Sequence, residues 1–176
     1  YGLVGSEMCI RDRQNIVIGG AAGALPPVIG WASVTGGLSF EPLLLFSIIF
    51  MWTPPHFWAL AIARKEEYAK VEIPMLPVTH GRRYTLLQMV LYTVLLLAVS
   101  VLPFATGMSG AMYFVGALVL GGIFLVFVVR LYRHYSDALS RQTFGYSIQY
   151  LAMLFALMLI DHYQSPLRDF LVALFV

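Results

Sequence analysis

The residues best suited to chemistry are concentrated between positions 64 and 85, where the chain reads RKEEYAKVEIPMLPVTHGRRYT. Glu66, Glu67 and Glu72 are interleaved there with Arg64, Lys65 and Lys70. Such a mixture can hold a divalent ion and a multiply charged phosphate ester together. Mg²⁺ takes oxygen ligands, typically one or two carboxylates plus substrate phosphates, and neighbouring cations take the remaining phosphate charge. The same residues also describe a solvated loop at a membrane surface whose acids balance its bases, and composition leaves both readings open. His56 follows two prolines in Trp52-Thr53-Pro54-Pro55-His56, about two helical turns before the charged segment at ~1.5 Å per residue. A titratable group inside an apolar span is a site candidate; equally, His56 can meet a carbonyl whose donor Pro54 or Pro55 has removed. Asn15 opens the first apolar stretch, where its amide can reach a phosphate or a metal-bound water, or cap a helix. Tyr68, Tyr84 and Tyr92 either line a cavity or anchor helices at headgroup level. Asp161 and His162 stand at the far end of the last apolar stretch, away from the charged segment.

These groups are set in 176 residues that are 60% hydrophobic and 11% charged, with a mean hydropathy of +0.80, against about 25% charged in a soluble domain. That excludes a water-soluble globule. The net charge of +2 comes from scattered Lys and Arg and offers no basic face that would track nucleic-acid phosphates. The partner implied by composition is the lipid bilayer. One cysteine, Cys9, provides neither a disulfide framework nor a thiolate metal site. Phosphate-binding glycine loops, His-Glu-x-x-His and nucleophile elbows are absent from the sequence.

A membrane-spanning helix needs about 20 mostly apolar residues, and five stretches qualify: 15–38, 43–63, 86–106, 109–129 and 144–163. The expected class is an all-α membrane protein with five transmembrane helices. Gly19, Gly20, Gly23, Gly30 and Pro26-Pro27 predict a bent, closely packed first helix. Pro54-Pro55 predicts a break in the second, tolerated only beside protein or a cavity. The connection 64–85 carries five Lys and Arg, 130–143 carries three, and those near 39–42 and 107–108 carry none. The positive-inside rule therefore places both basic connections, with Asn15, on the cytoplasmic side or its organellar equivalent. Residues 1–13 show no helical or strand period and lack a signal peptide's apolar core. They resemble translated adapter sequence and are expected to be non-native, the protein's own sequence starting near Gln14 inside a larger protein.

Three segments, NIVIGGAAGALPPVIGWASVTG at 15–36, WTPPHFWALAI at 52–62 and EEYAKVEIPMLPVTHG at 66–81, resemble the protohaem IX farnesyltransferase (haem O synthase) family of intramembrane aromatic prenyltransferases. A weaker match is Ser147-Ile148-x-Tyr150-Leu151. The resemblance implies a nine-helix bundle around a lipid-accessible cavity, this chain supplying the C-terminal five helices. Of the family's two acidic motifs, the N-x-x-x-D-x-x-x-D pattern is missing from this sequence. The second, Asp-Tyr followed by a Gly-Ile-Pro-Met-Leu-Pro run, maps onto Glu67-Tyr68 and Ile73-Pro74-Met75-Leu76-Pro77. Glu67 stands where Asp is usual and Glu72 where Gly is common, which alters the ligand geometry and the backbone freedom there.

The implied reaction transfers farnesyl from farnesyl diphosphate to a vinyl group of haem B, with addition of water, giving haem O for terminal oxidases. Under the resemblance, Glu67 holds Mg²⁺ with Glu66 as the second carboxylate. Arg64, Lys65 and Lys70 bind the diphosphate or a haem propionate, Asn15 and Tyr68 support the same region, and His56 orients the haem, as an iron ligand through imidazole. Terminal-oxidase assembly proteins are the implied partners. The implied location is the bacterial inner membrane, with the mitochondrial inner membrane second. With half of the metal site missing, this stretch alone is expected to be inactive. The rival readings are a quinone-precursor prenyltransferase, which should lack the Trp52–Trp58 segment, and a helical transporter or assembly factor whose Pro-broken helices line a path.

Overall fold

A computed structural model describes residues 15–37, 39–70 and 75–175, without the side chains of Asn15, Ile18, 68–70 and 165–175. Residues 1–13, expected to be non-native, lie outside the described residues. The described residues form eight helices: α1 (Asn15–Ala24), α2 (Pro26–Thr35), α3 (Phe40–Ala63), α4 (Lys65–Lys70), α5 (Leu76–Thr79), α6 (Gly81–Ala105), α7 (Ala111–Arg133) and α8 (Asp137–Phe175). Four of them, α3, α6, α7 and α8 as far as Gln164, are long and apolar enough to cross a membrane. The chain is a multi-pass, all-helical membrane protein.

The stretch 15–38 is not one continuous span but two ten-residue helices parted at Leu25. Pro26 and Pro27 have no N–H to donate, so the hydrogen-bond ladder restarts when Val28 and Ile29 both donate to the Leu25 carbonyl, at 2.9 and 3.0 Å. Close packing holds only in α1. Gly20 faces Thr53 so tightly that a Cβ would lie 2.9 Å from Cγ2, whereas α2 buries no residue. Pro54 and Pro55 do not break α3 either; the helix runs through both, and both are buried. The polar connections are also more helical than predicted, since α6 begins at Gly81 and α8 at Asp137. Backbone amides need partners until they reach water, and a helix supplies these whether or not its side chains are apolar.

Helices α3, α6, α7 and α8 close into a ring, each packed on the next and α8 back on α3, with α1 laid against the outside of α3. Ile48, Met89, Leu96, Tyr113, Phe124, Tyr150 and Leu154 fill its centre. Because lipid gives no hydrophobic drive between helices, packing and interhelical hydrogen bonds hold the ring. Ser140 Oγ donates to the Ala59 carbonyl at 2.6 Å, Tyr113 to Ser100 and Tyr146 to Leu120, both at 2.9 Å. Leu91, Leu95, Val115, Val119 and Val126 face outward, as lipid contact requires. At one end, the Asp161 carboxylate accepts the N–H of Gly110, the residue before α7.

Candidate functional site

The opposite end of the ring holds a polar cavity of about 700 Å³ lined by Arg64, Lys65, Glu66, Glu67, Arg82, Tyr135 and Asp137. Arg64 closes α3, its N–H donating to Leu60 at 3.1 Å, and Glu67 donates back to the Arg64 carbonyl at 3.1 Å. This tight turn puts Glu66 and Glu67 in the first turn of α4. Gly81, at φ 80, supplies a left-handed step that residues with a Cβ seldom take, and Arg82 follows it into α6. Tyr135 and Asp137 come from the other basic connection. The Arg82 guanidinium carbon lies 4.2 Å from the centroid of the Tyr135 ring, and the Tyr135 hydroxyl donates to Asp137 Oδ1. Burial, reinforced by this bond to a carboxylate, pushes the Tyr135 hydroxyl up to about 12, so it remains a donor at neutral pH. The two basic connections thus share one cavity, as their common side of the membrane predicts.

A second cavity, apolar and about 450 Å³, lies between α1 and α3. Ile16, Gly19, Gly20, Gly23, Ile49, Trp52, Thr53 and Phe57 line it, together with Met75. Gly19 and Gly23 present bare backbone, with no atom within 4 Å of where a Cβ would stand. Met75 belongs to the same connection as Glu66 and Glu67, so that one connection walls both cavities. The next residues of its motif, Leu76 and Pro77, are buried.

His56 lines neither cavity. Its ring is sandwiched between Trp52 at 4.2 Å and Phe144 at 4.5 Å, and Nδ1 lies 2.6 Å from Ser147 Oγ. Ser147 Oγ also lies 2.6 Å from the Phe144 carbonyl, which can only accept. The single hydroxyl proton therefore goes to Phe144, and the imidazole donates from Nδ1 and keeps its lone pair on Nε2. No carbonyl freed by the prolines is met by this histidine among the described residues.

Of the residues singled out in the sequence, Arg64, Lys65, Glu66 and Glu67 come together in the polar cavity. Asn15 starts α1, and Tyr68 and Lys70 belong to α4, but their side chains lie outside the described ones, as does all of Glu72. Tyr92 packs edge-on against Trp58 at 5.5 Å, and Tyr84 is exposed beside His80. Arg82, counted only among the basic residues of its connection, and Tyr135 and Asp137 were not singled out, Met75 was visible as part of the second motif, and Ser147 only as part of a weak one. For Tyr135 and Asp137 the one sequence signal was the shared side of the two basic connections. Among the described residues no three His, Cys, Asp or Glu side chains gather to hold a metal. Two adjacent carboxylates in a cavity of mixed charge, beside Arg64, Lys65 and Arg82, do fit an ion whose remaining ligands are substrate phosphates and water.

Residues 12–160 match the UbiA prenyltransferase family, and the chain belongs to it. Prenyltransferases of this family generally depend on a divalent metal. The chain is similar to the protoheme IX farnesyltransferases of Thiobacillus denitrificans, 65% identical over 150 residues, and Nitrosospira multiformis, 63% identical over 150. It is also similar to that of Burkholderia vietnamiensis, 56% identical over 154 residues. These alignments take in 85 to 88% of this chain and 50 to 51% of each relative, so the chain spans about half the length of the curated relatives it matches. No solved structure matches it.

Proposed function

We propose that this chain forms part of a protohaem IX farnesyltransferase, which joins the farnesyl group of farnesyl diphosphate to a vinyl group of haem B to make haem O. The observation that carries this reading is the connection from α3 to α6, which walls an apolar cavity and a charged one at once. A prenyl diphosphate has the same two-part character. Its hydrocarbon chain lies against Ile16, Ile49, Trp52 and Phe57, whose ring faces also favour the cationic character that develops on an allylic carbon. Arg64 and Lys65, with Lys70, take the diphosphate oxygens, and Asn15 and Tyr68 support the same region. Glu67 and Glu66 hold Mg²⁺, which when bound offsets the charge of the departing diphosphate. The apolar walls keep bulk water from the hydrocarbon chain. His56 orients the haem through the Nε2 lone pair that its bond to Ser147 leaves free. We place the protein in a bacterial inner membrane, handing its product to the assembly of terminal oxidases.

The test is to express the full-length protein in membranes, supply haem B, farnesyl diphosphate and Mg²⁺, and look by mass for a haem carrying one farnesyl group and one added water. Its absence, with the protein present and folded, overturns the reading.

A further inference from the structure

We propose that Arg82 binds an oxyanion of one substrate, with Tyr135 and Asp137 as the positioning residues that aim it. The proposal rests on the farnesyltransferase reading above, and adds a wall of the site that the α3–α6 connection does not supply. Three elements converge here: Arg82 from the first turn of α6, Tyr135 from the α7–α8 connection and Asp137 from the start of α8. All three line the cavity that holds Glu66 and Glu67.

The chemistry follows from how they are stacked. A flexible arginine at a water-facing helix end ordinarily loses side-chain entropy when it binds. Arg82 is held over the Tyr135 ring at 4.2 Å, which restricts it beforehand. A guanidinium has five N–H groups, so one held against Tyr135 keeps others to meet a phosphate or a carboxylate. The Tyr135 ring is itself fixed, because its hydroxyl donates to Asp137 and Asp137 is the first residue of a long helix. The result is a cation pre-aimed into a cavity that already carries two carboxylates and two further cations. Both substrates bring the matching chemistry, farnesyl diphosphate through its phosphates and haem B through its propionates.

The experiment measures KM for each substrate in the full-length protein carrying Arg82→Ala, Arg82→Lys, Tyr135→Leu or Tyr135→Phe. Arg82 is exposed, so its replacement empties no core. Losing a charge-assisted bidentate contact should raise KM for one substrate about tenfold or more, with kcat far less affected, and Arg82→Lys should fall between. Tyr135→Leu should raise the same KM, and Tyr135→Phe, which keeps the ring face but loses the bond to Asp137, should recover only part of that loss; full recovery would take Asp137 out of the positioning role. A selective rise for farnesyl diphosphate assigns the diphosphate, and one for haem B assigns a propionate. If neither KM moves while Glu67→Ala still inactivates, Arg82 is not a binding residue and the farnesyltransferase reading stands. A Tyr135→Leu variant that leaves KM alone, or lowers kcat for both substrates equally, removes the positioning role. If the wild-type protein makes no farnesylated haem, that reading falls and this proposal with it.

Discussion

The imidazole of His56 donates to the hydroxyl of Ser147 across 2.6 Å, although 91 residues separate them in the chain. One turn earlier on α3, the Trp52 indole donates to the Ser147 carbonyl at 2.8 Å. A single residue of α8 therefore takes two donors from α3 and fixes the register of the two helices. Ser147→Ala leaves the buried Nδ1–H without an acceptor, at a cost of about 1–3 kcal/mol. Ser147→Thr, which keeps a hydroxyl, should lose less. Thermal unfolding in detergent reads the difference, and equal stability of Ser147→Ala and wild type would show that the bond contributes nothing.

His56→Ala should raise KM for haem B more than KM for farnesyl diphosphate in the full-length protein, because the apolar cavity proposed for the prenyl group is lined by Trp52 and not by His56. Equal losses for the two substrates would make the histidine a purely structural tie between α3 and α8.

Glu67→Ala should lower kcat on the order of 100-fold or more while the protein still inserts into membranes, since Glu67 is exposed at the cavity wall. Glu67→Asp, which keeps the carboxylate, should retain a measurable part of the rate. Unchanged turnover in Glu67→Ala would take this residue out of the site.

The glycines of α1 separate a packing contact from a cavity wall. A side chain at Gly20 would collide with Thr53, whereas one at Gly23 meets nothing and projects into the apolar cavity. Gly20→Leu should therefore destabilise the fold by about 1–3 kcal/mol. Gly23→Leu should fold normally and shift the preferred donor from farnesyl to the shorter geranyl diphosphate, measured by competition between the two and the mass of the product. Undiminished use of farnesyl diphosphate by Gly23→Leu would place the isoprenoid elsewhere.

Four of the apolar spans and the gathering of charge at one end of the helices were legible in the sequence, because each is a property of composition over a window. That is how Arg64, Lys65, Glu66 and Glu67 could be grouped before any fold was known. The parting at Leu25 was not legible in that way. Hydropathy does not register the two N–H groups that Pro26 and Pro27 lack, and the same prolines-in-pair signal at Pro54-Pro55 sits in an unbroken helix. The starts of α6 and α8 were placed too late because hydropathy falls where charges begin, while backbone hydrogen bonding continues. The contact between Arg82 and Tyr135 and the bond between His56 and Ser147 join residues far apart in sequence on different elements, and no periodicity along one helix encodes such a meeting.

The bond between Asp161 and the Gly110 N–H turns α7 and α8 into a frame fastened at both ends. Between that fastening and the 134–136 corner, the two limbs measure about 34 and 36 Å at ~1.5 Å per residue, so neither can change length alone. Deleting one residue from the middle of either limb would either tear the fastening or drag Tyr135 about 1.5 Å in depth and swing its neighbours by roughly 100°. Natural variation in these two limbs should consequently favour exchange of one apolar residue for another over any gain or loss of residues.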